Sequence, residues 1–238
     1  MAMFTPKGPM WQGPASPLCN GIAISRALRV GTLGAALSRQ SEGDVVITCA
    51  RHVVLGGGSC QLWTSAGGGG TWQVMGVLDS ITPPAGQQAL FTTLDLAFLS
   101  LSNVTAVNDV FGNTPAPAVT VPAPGTYARY CGARHGWWQC VFEGPYSPAY
   151  AGTFGAIGVA GLDLSAMGVV GFDASGYDAD DYEGDSGAVV STKLLDGTES
   201  FFGSLVGAST TQPKGLILLL DAAFQRVGLT SYKVVGAP

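Results

Sequence analysis

Short apolar runs broken by Gly, Asn, Asp and Pro recur along the whole chain. They read GIAIS, DVVITCA, CQLWTS, TWQVMGVL and DLAFLSL in the first half, then YARYCGA, WWQCVFEG, FGAIGVAG, MGVVGF, GAVVST, FFGSLVGA and GLILLL. Runs of about four to eight residues bounded by turn formers are strand signals, and this many at such spacing predicts an all-β fold of barrels or a sandwich. Helical character is convincing in one late stretch, DAAFQRVGL (221–229), where an N-cap type of residue, Asp221, precedes a helix-forming core and a glycine follows. It predicts a short C-terminal helix.

Prolines 115, 117, 122 and 124 in GNTPAPAVTVPAPG cannot sit in a central strand and favour an extended connector. About six strand candidates fall on each side. The simplest architecture is therefore two similar β domains, residues 1–113 and 125–238, joined by a Pro-rich linker at 114–124. No sequence repeat relates the halves.

Composition narrows the function classes. With 47% apolar residues the chain can fill a sizeable core, and with 11% charged residues, 35 Gly and 14 Pro it must turn often. A net charge of −5 with 11 scattered basic residues argues against a nucleic-acid partner. The apolar stretches fall far short of the ~20 residues that span a bilayer, and MAMFTPKGPMW lacks the apolar core of a signal peptide, so a chain without membrane segment or secretion signal is expected. The 5 cysteines are an odd number with no CxxC pair, which weighs against a full disulfide framework and against a structural zinc site. No metal or cofactor is expected.

Two histidines, His52 and His135, are the only candidates for an imidazole base. A serine nucleophile needs such a base within hydrogen-bond reach and a carboxylate on the other ring nitrogen to hold the tautomer. His52 lies one residue past the run DVVITCA, Asp95 is a lone acid entering DLAFLSL, and Ser186 lies in EGDSGAVV. Taken singly, each has a bland explanation: a structural histidine, an Asp capping its own loop, an ordinary turn of Gly, Asp and Ser.

Together, CARHVV, DLAFLSL and EGDSGAVV resemble the histidine, aspartate and serine blocks of the chymotrypsin-like serine proteases, in that family's chain order. The resemblance implies two six-stranded antiparallel β-barrels, with the Pro-rich linker crossing between them. It implies a serine endopeptidase acting on a polypeptide substrate, with His52 as base, Asp95 as its orienting partner, Ser186 as nucleophile and the backbone N–H groups of Gly184 and Ser186 as oxyanion donors. Val206, Gly207 and Ala208 would form the strand that pairs with substrate. Asp180, six residues before Ser186, would sit at the base of a pocket for Arg or Lys; crowded by Asp178, Asp181 and Glu183, it also reads as part of a solvated acidic turn. No histidine follows Ser186, which disfavours the Glu- or Gln-preferring viral mode. His135 is assigned a structural role.

Several departures from the family pattern bear on the setting. Val53 and Tyr182 stand where secreted animal members carry cysteines, and Cys49 stands in the usual threonine position. No Ile-Val-Gly-Gly-type start is present to supply a freed ammonium to Asp185, whose partner is left open. The chain thus looks like viral or intracellular members, and the expectation is a host-cell enzyme that cuts a polyprotein, including its own boundaries. The alternatives are a catalytically silent protease fold used as a binding or structural module, and a capsid-type protease that cleaves itself once.

Overall fold

A computed structural model describes residues 22–27, 29–39, 45–55, 58–65, 72–100, 119–134, 136–154, 161–175, 177–178, 182–193, 195, 199–228 and 232–234. The first half contributes β1 (Ala23–Arg26), β2 (Arg29–Thr32), β3 (Ala36–Arg39), β4 (Val45–Ala50), β5 (Ser59–Ser65), β6 (Trp72–Ser80) and β7 (Leu96–Ser100). The second contributes β8 (Thr126–Gly132), β9 (Gly136–Pro145), β10 (Met167–Gly171), β11 (Val189–Lys193), β12 (Glu199–Ala208) and β13 (Lys214–Leu219), followed by a last strand, β14 (Tyr232–Val234). Positions 114–118 of the expected linker and most of the expected strand FGAIGVAG lie outside the described residues.

The fold is mostly β, as the punctuated apolar runs predict. Six strands close into an antiparallel barrel in the order β10-β13-β12-β11-β8-β9. The other sheet is curled, in the order β14-β3-β4-β7-β6-β5-β1-β2. Its eight segments exceed the expected six for two reasons. β2 and β3 are successive halves of one bent stretch, and β14, from the C-terminal end, adds itself to β3 with Val234 opposite Leu37.

Each sheet turns one face inward onto its own core. Ile24, Leu33, Ile47, Leu62 and Leu99 fill the first; Tyr130, Phe142, Val190, Phe202 and Ile217 fill the second. A third cluster draws from both sheets, with Leu37, Val46 and Phe98 meeting Phe154, Met167, Phe201 and Leu216, and so welds the two halves together. The C-terminal helix α2 runs from Leu220 to Arg226, starting one residue before Asp221 and ending before the expected limit. It buries Leu220 and Ala223 in the joint, and Gly228, at φ +68°, turns the chain away after it. A second helix, α1 (Gln88–Thr93), escapes the sequence pattern because its six residues are too few to show a period. Its buried Phe91 meets Phe98 edge to face, with ring centroids 5.5 Å apart. Among the described residues no helix is long and apolar enough to cross a membrane.

Thr32 is a polar group that ties the joint together. It is fully buried, its hydroxyl donates to the Gly184 carbonyl at 2.9 Å and accepts from the Ala133 N–H at 2.8 Å, and its own N–H donates to the Ser186 carbonyl at 2.8 Å. Thr32→Val keeps the shape but leaves a buried carbonyl and a buried N–H unpaired. The expected loss is about 2–3 kcal/mol of unfolding free energy, read from the urea midpoint.

Candidate active site

β4 and β7 pair with Ala50 opposite Leu96, so the residues just past the end of one and just before the start of the other meet. His52 follows β4 on a single 3-10 turn, Arg51–Val53. Asp95 immediately precedes β7 and ends the turn after α1, with its N–H donating to the Thr92 carbonyl and φ at +51°. Aspartate is among the few non-glycine residues that tolerate that left-handed conformation. The Arg51 N–H donates to the Asp95 carbonyl at 2.9 Å and extends the ladder by one bond.

The Asp95 carboxylate then grips His52 twice. Oδ1 accepts from the His52 backbone N–H at 2.8 Å and Oδ2 lies 2.7 Å from Nδ1. The acid is 8% exposed, whereas the imidazole is 43% exposed. An ionised carboxylate at Nδ1 requires a proton there, which leaves Nε2 as an acceptor on the open side.

Ser186 sits on a turn flanked by Gly184 at φ +103° and Gly187 at φ +97°. A side chain at Gly187 would fit neither the dihedral nor the space: a Cβ would lie 2.4 Å from the Thr32 carbonyl oxygen and 3.0 Å from the Ala50 nitrogen. The Ser186 turn is therefore pressed against the end of β4 that leads to His52. The Ser186 hydroxyl donates to the Val206 carbonyl at 3.1 Å.

Within the turn the carbonyl of every residue from 183 to 186 is held. Glu183 accepts from the Arg134 guanidinium at 3.3 Å, Gly184 from the Thr32 hydroxyl, Asp185 from the Ala188 N–H at 3.0 Å, and Ser186 from the Thr32 N–H. The amides of Asp185 and Gly187 donate to Tyr182 and Leu205. Those of Gly184 and Ser186 donate to no acceptor among the described residues.

Val206, Gly207 and Ala208 form the end of β12. β13 pairs there on one side, while the pairing with β11 stops at Ser204. Among the described residues no strand pairs with the opposite edge beside Ser186, and the Val206 carbonyl accepts from the serine hydroxyl. Asp180 and Asp181 lie outside the described residues, as does His135; Glu183 and Asp178 are exposed.

Asp185 finds the partner that the sequence left open. Its buried carboxylate accepts from the Arg134 N–H at 2.9 Å and packs so closely on Gly132 that a Cβ there would lie 2.0 Å from its carbon. Thr32, Gly132 and Arg134 were not singled out in the sequence. Thr32 alone left a trace, as a polar residue inside the apolar stretch VGTLGAA. Where disulfide cysteines would stand in secreted relatives, Val53 packs over Gly31, and Tyr182 stacks on Phe172 at 4.5 Å. Tyr177, whose ring lies 6.2 Å from Phe172 and 5.3 Å from Tyr182, donates its hydroxyl to the Ser209 carbonyl.

No protein-family model matches the sequence, and no characterised protein matches it in sequence. Solved structures match the fold. One is a glutamic-acid-specific serine protease that uses a histidine triad in substrate binding, 14% identical with a TM-score of 0.57, over 92% of this chain and 100% of that one. Protease A of Thermobifida fusca is 15% identical with a TM-score of 0.57, over 92% and 99%. Chymotrypsin of Cellulomonas bogoriensis is 15% identical with a TM-score of 0.53, over 92% and 99%. The chain has the fold of the chymotrypsin-like serine proteases.

Cys49, Cys60, Cys131 and Cys140 are free thiols. Burial pushes Cys49 well above the usual thiol range; burial lifts Cys140 to about 12, and burial with the nearby Asp185 carboxylate lifts Cys131 to about 12. At pH 8 these three should react with a thiol reagent only as fast as the protein opens, because the thiolate is the reactive form. Titration in denaturant should release them at once; prompt reaction of the native protein at Cys140 would contradict this burial.

Proposed function

We propose that the chain is a serine endopeptidase. The observation that carries this reading is the double grip of Asp95 on His52, on the strand end against which the Ser186 turn is docked. Ser186 Oγ leaves the Val206 carbonyl by a rotation about its Cα–Cβ bond, donates to His52 Nε2 and attacks the peptide carbonyl. His52 takes the proton and returns it to the leaving amine, and Asp95 stabilises the imidazolium formed between these steps. The N–H groups of Gly184 and Ser186 face the developing oxyanion, a contribution worth roughly 3 kcal/mol for one donor in comparable enzymes. Water admitted after the amine departs is activated by the same His52 and hydrolyses the acyl-enzyme.

The open edge at Val206, Gly207 and Ala208 suits an extended peptide, which would add a short strand there by main-chain hydrogen bonds. Asp180 is the candidate for reading a basic side chain just before the cut. The narrower setting we propose is a viral enzyme that processes a polyprotein; the free thiols support it, since they suit a reducing cell interior.

A fluorophosphonate probe should label the wild-type chain and not Ser186→Ala; equal labelling of both would remove Ser186 as the nucleophile, and an unlabelled wild type would favour a silent binding module. Asp95→Asn should lower kcat by about 10⁴, because the wrong tautomer is then held. Mass-spectrometric profiling of cuts in a denatured proteome decides the pocket. Cuts after Lys or Arg that vanish in Asp180→Ala support its role, and cuts after small or aromatic residues exclude it.

A further inference from the structure

We infer that Arg134 is a positioning residue for the oxyanion site, acting through the orientation of the peptide plane between Glu183 and Gly184. The inference rests on the protease reading above and names a regulator of that same site. In a trans peptide the C=O and N–H point in opposite directions, so a donor fixed on the Glu183 carbonyl fixes where the Gly184 N–H points. That donor is the Arg134 guanidinium, at 3.3 Å.

The neighbouring planes are held differently. The carbonyl of Asp185, whose plane carries the Ser186 N–H, accepts from the Ala188 backbone, and the carbonyl of Gly184 accepts from the buried Thr32 hydroxyl. Glu183 is the exception. Its carbonyl is held by a side chain reaching in from the partly exposed rim, and its own side chain is 88% exposed. Gly184, at φ +103°, has no Cβ to resist a rotation of the plane that precedes it. Released from Arg134, that plane can turn over and present a carbonyl where a donor is needed.

Arg134 is itself placed by the fold. Its backbone N–H is spent on the buried Asp185 carboxylate, and Ala133 beside it donates to Thr32. The turn after β8 is thereby tied to the turn it orients directly at Arg134 and, through the Thr32 hydroxyl, at Ala133. The guanidinium also lies 3.9 Å from the Glu183 carboxylate, a loose and solvated contact that adds little.

The test uses the full chain with Arg134→Met and Arg134→Lys. A fluorophosphonate probe should label Arg134→Met more slowly by a factor on the order of 10², the scale of losing one oxyanion donor. On a cleavable peptide kcat should fall by the same factor with KM nearly unchanged. Arg134→Lys, which keeps a donor on a shorter and less directional head, should recover part of the rate. A crystal structure of Arg134→Met should show the Glu183–Gly184 peptide inverted or in two orientations, and this readout stands whether or not the chain hydrolyses peptides. An unreactive wild type would overturn the protease reading alone. A reactive wild type with Arg134→Met labelled at the same rate, or an unmoved peptide in that variant, would overturn the role of Arg134. If Arg134→Met fails to fold, Arg134→Lys decides by the same two measurements: undiminished labelling with an unmoved peptide overturns the proposal, and slowed labelling with a displaced peptide supports it.

Discussion

Thr32 is the constraint on which the candidate site depends. One buried residue of the curled sheet satisfies two carbonyls of the Ser186 turn and an N–H of the turn after β8, and its own carbonyl presses on Gly187. The Ser186 turn belongs to the closed barrel in sequence but takes its position from the other half of the molecule, where His52 and Asp95 reside. A site divided between two sheets holds its geometry only if their joint is rigid. Here the joint is both an apolar cluster and a set of directional bonds. The apolar part supplies most of the adhesion, and the bonds to Thr32 set the register.

Polar burial around the turn follows the same logic. A carboxylate as enclosed as Asp185 is costly unless donors reach it, and Gly132 leaves the room that lets the Arg134 N–H do so. Asp95 meets the same requirement with the two donors of His52. In both cases the acid is satisfied by the segment it must hold in place, so removing the acid would loosen that segment and removing the segment would strand the acid.

The sequence revealed the fold class and the candidate site residues more readily than the supports. Apolar runs between turn formers disclosed the strands because a half-buried strand needs little more than that pattern. The placement of His52 beside Asp95 was legible because both stand at the ends of apolar runs that pair as β4 and β7. Helix α1 was not, since one buried face of six residues leaves no period to detect. Arg134 and Gly132 were hidden for another reason: they act through a backbone amide and through a missing Cβ, which no motif records. The bond from the Arg134 N–H to Asp185 could not be read from the sequence because its donor is a main-chain group, brought near by the turn after β8.

The pairing of β14 with β3 carries a consequence for how the molecule comes apart. After α2 has packed into the joint, the last described strand returns to the half of the chain from which the fold began. Neither half can then melt alone without tearing a strand or a helix from its companion. The stabilities of the two cores are thereby coupled, since opening one costs contacts that belong to the other. Fastened in this way, the extended strands of each half stay covered unless the pairing of β14 with β3 or the packing of α2 is given up as well.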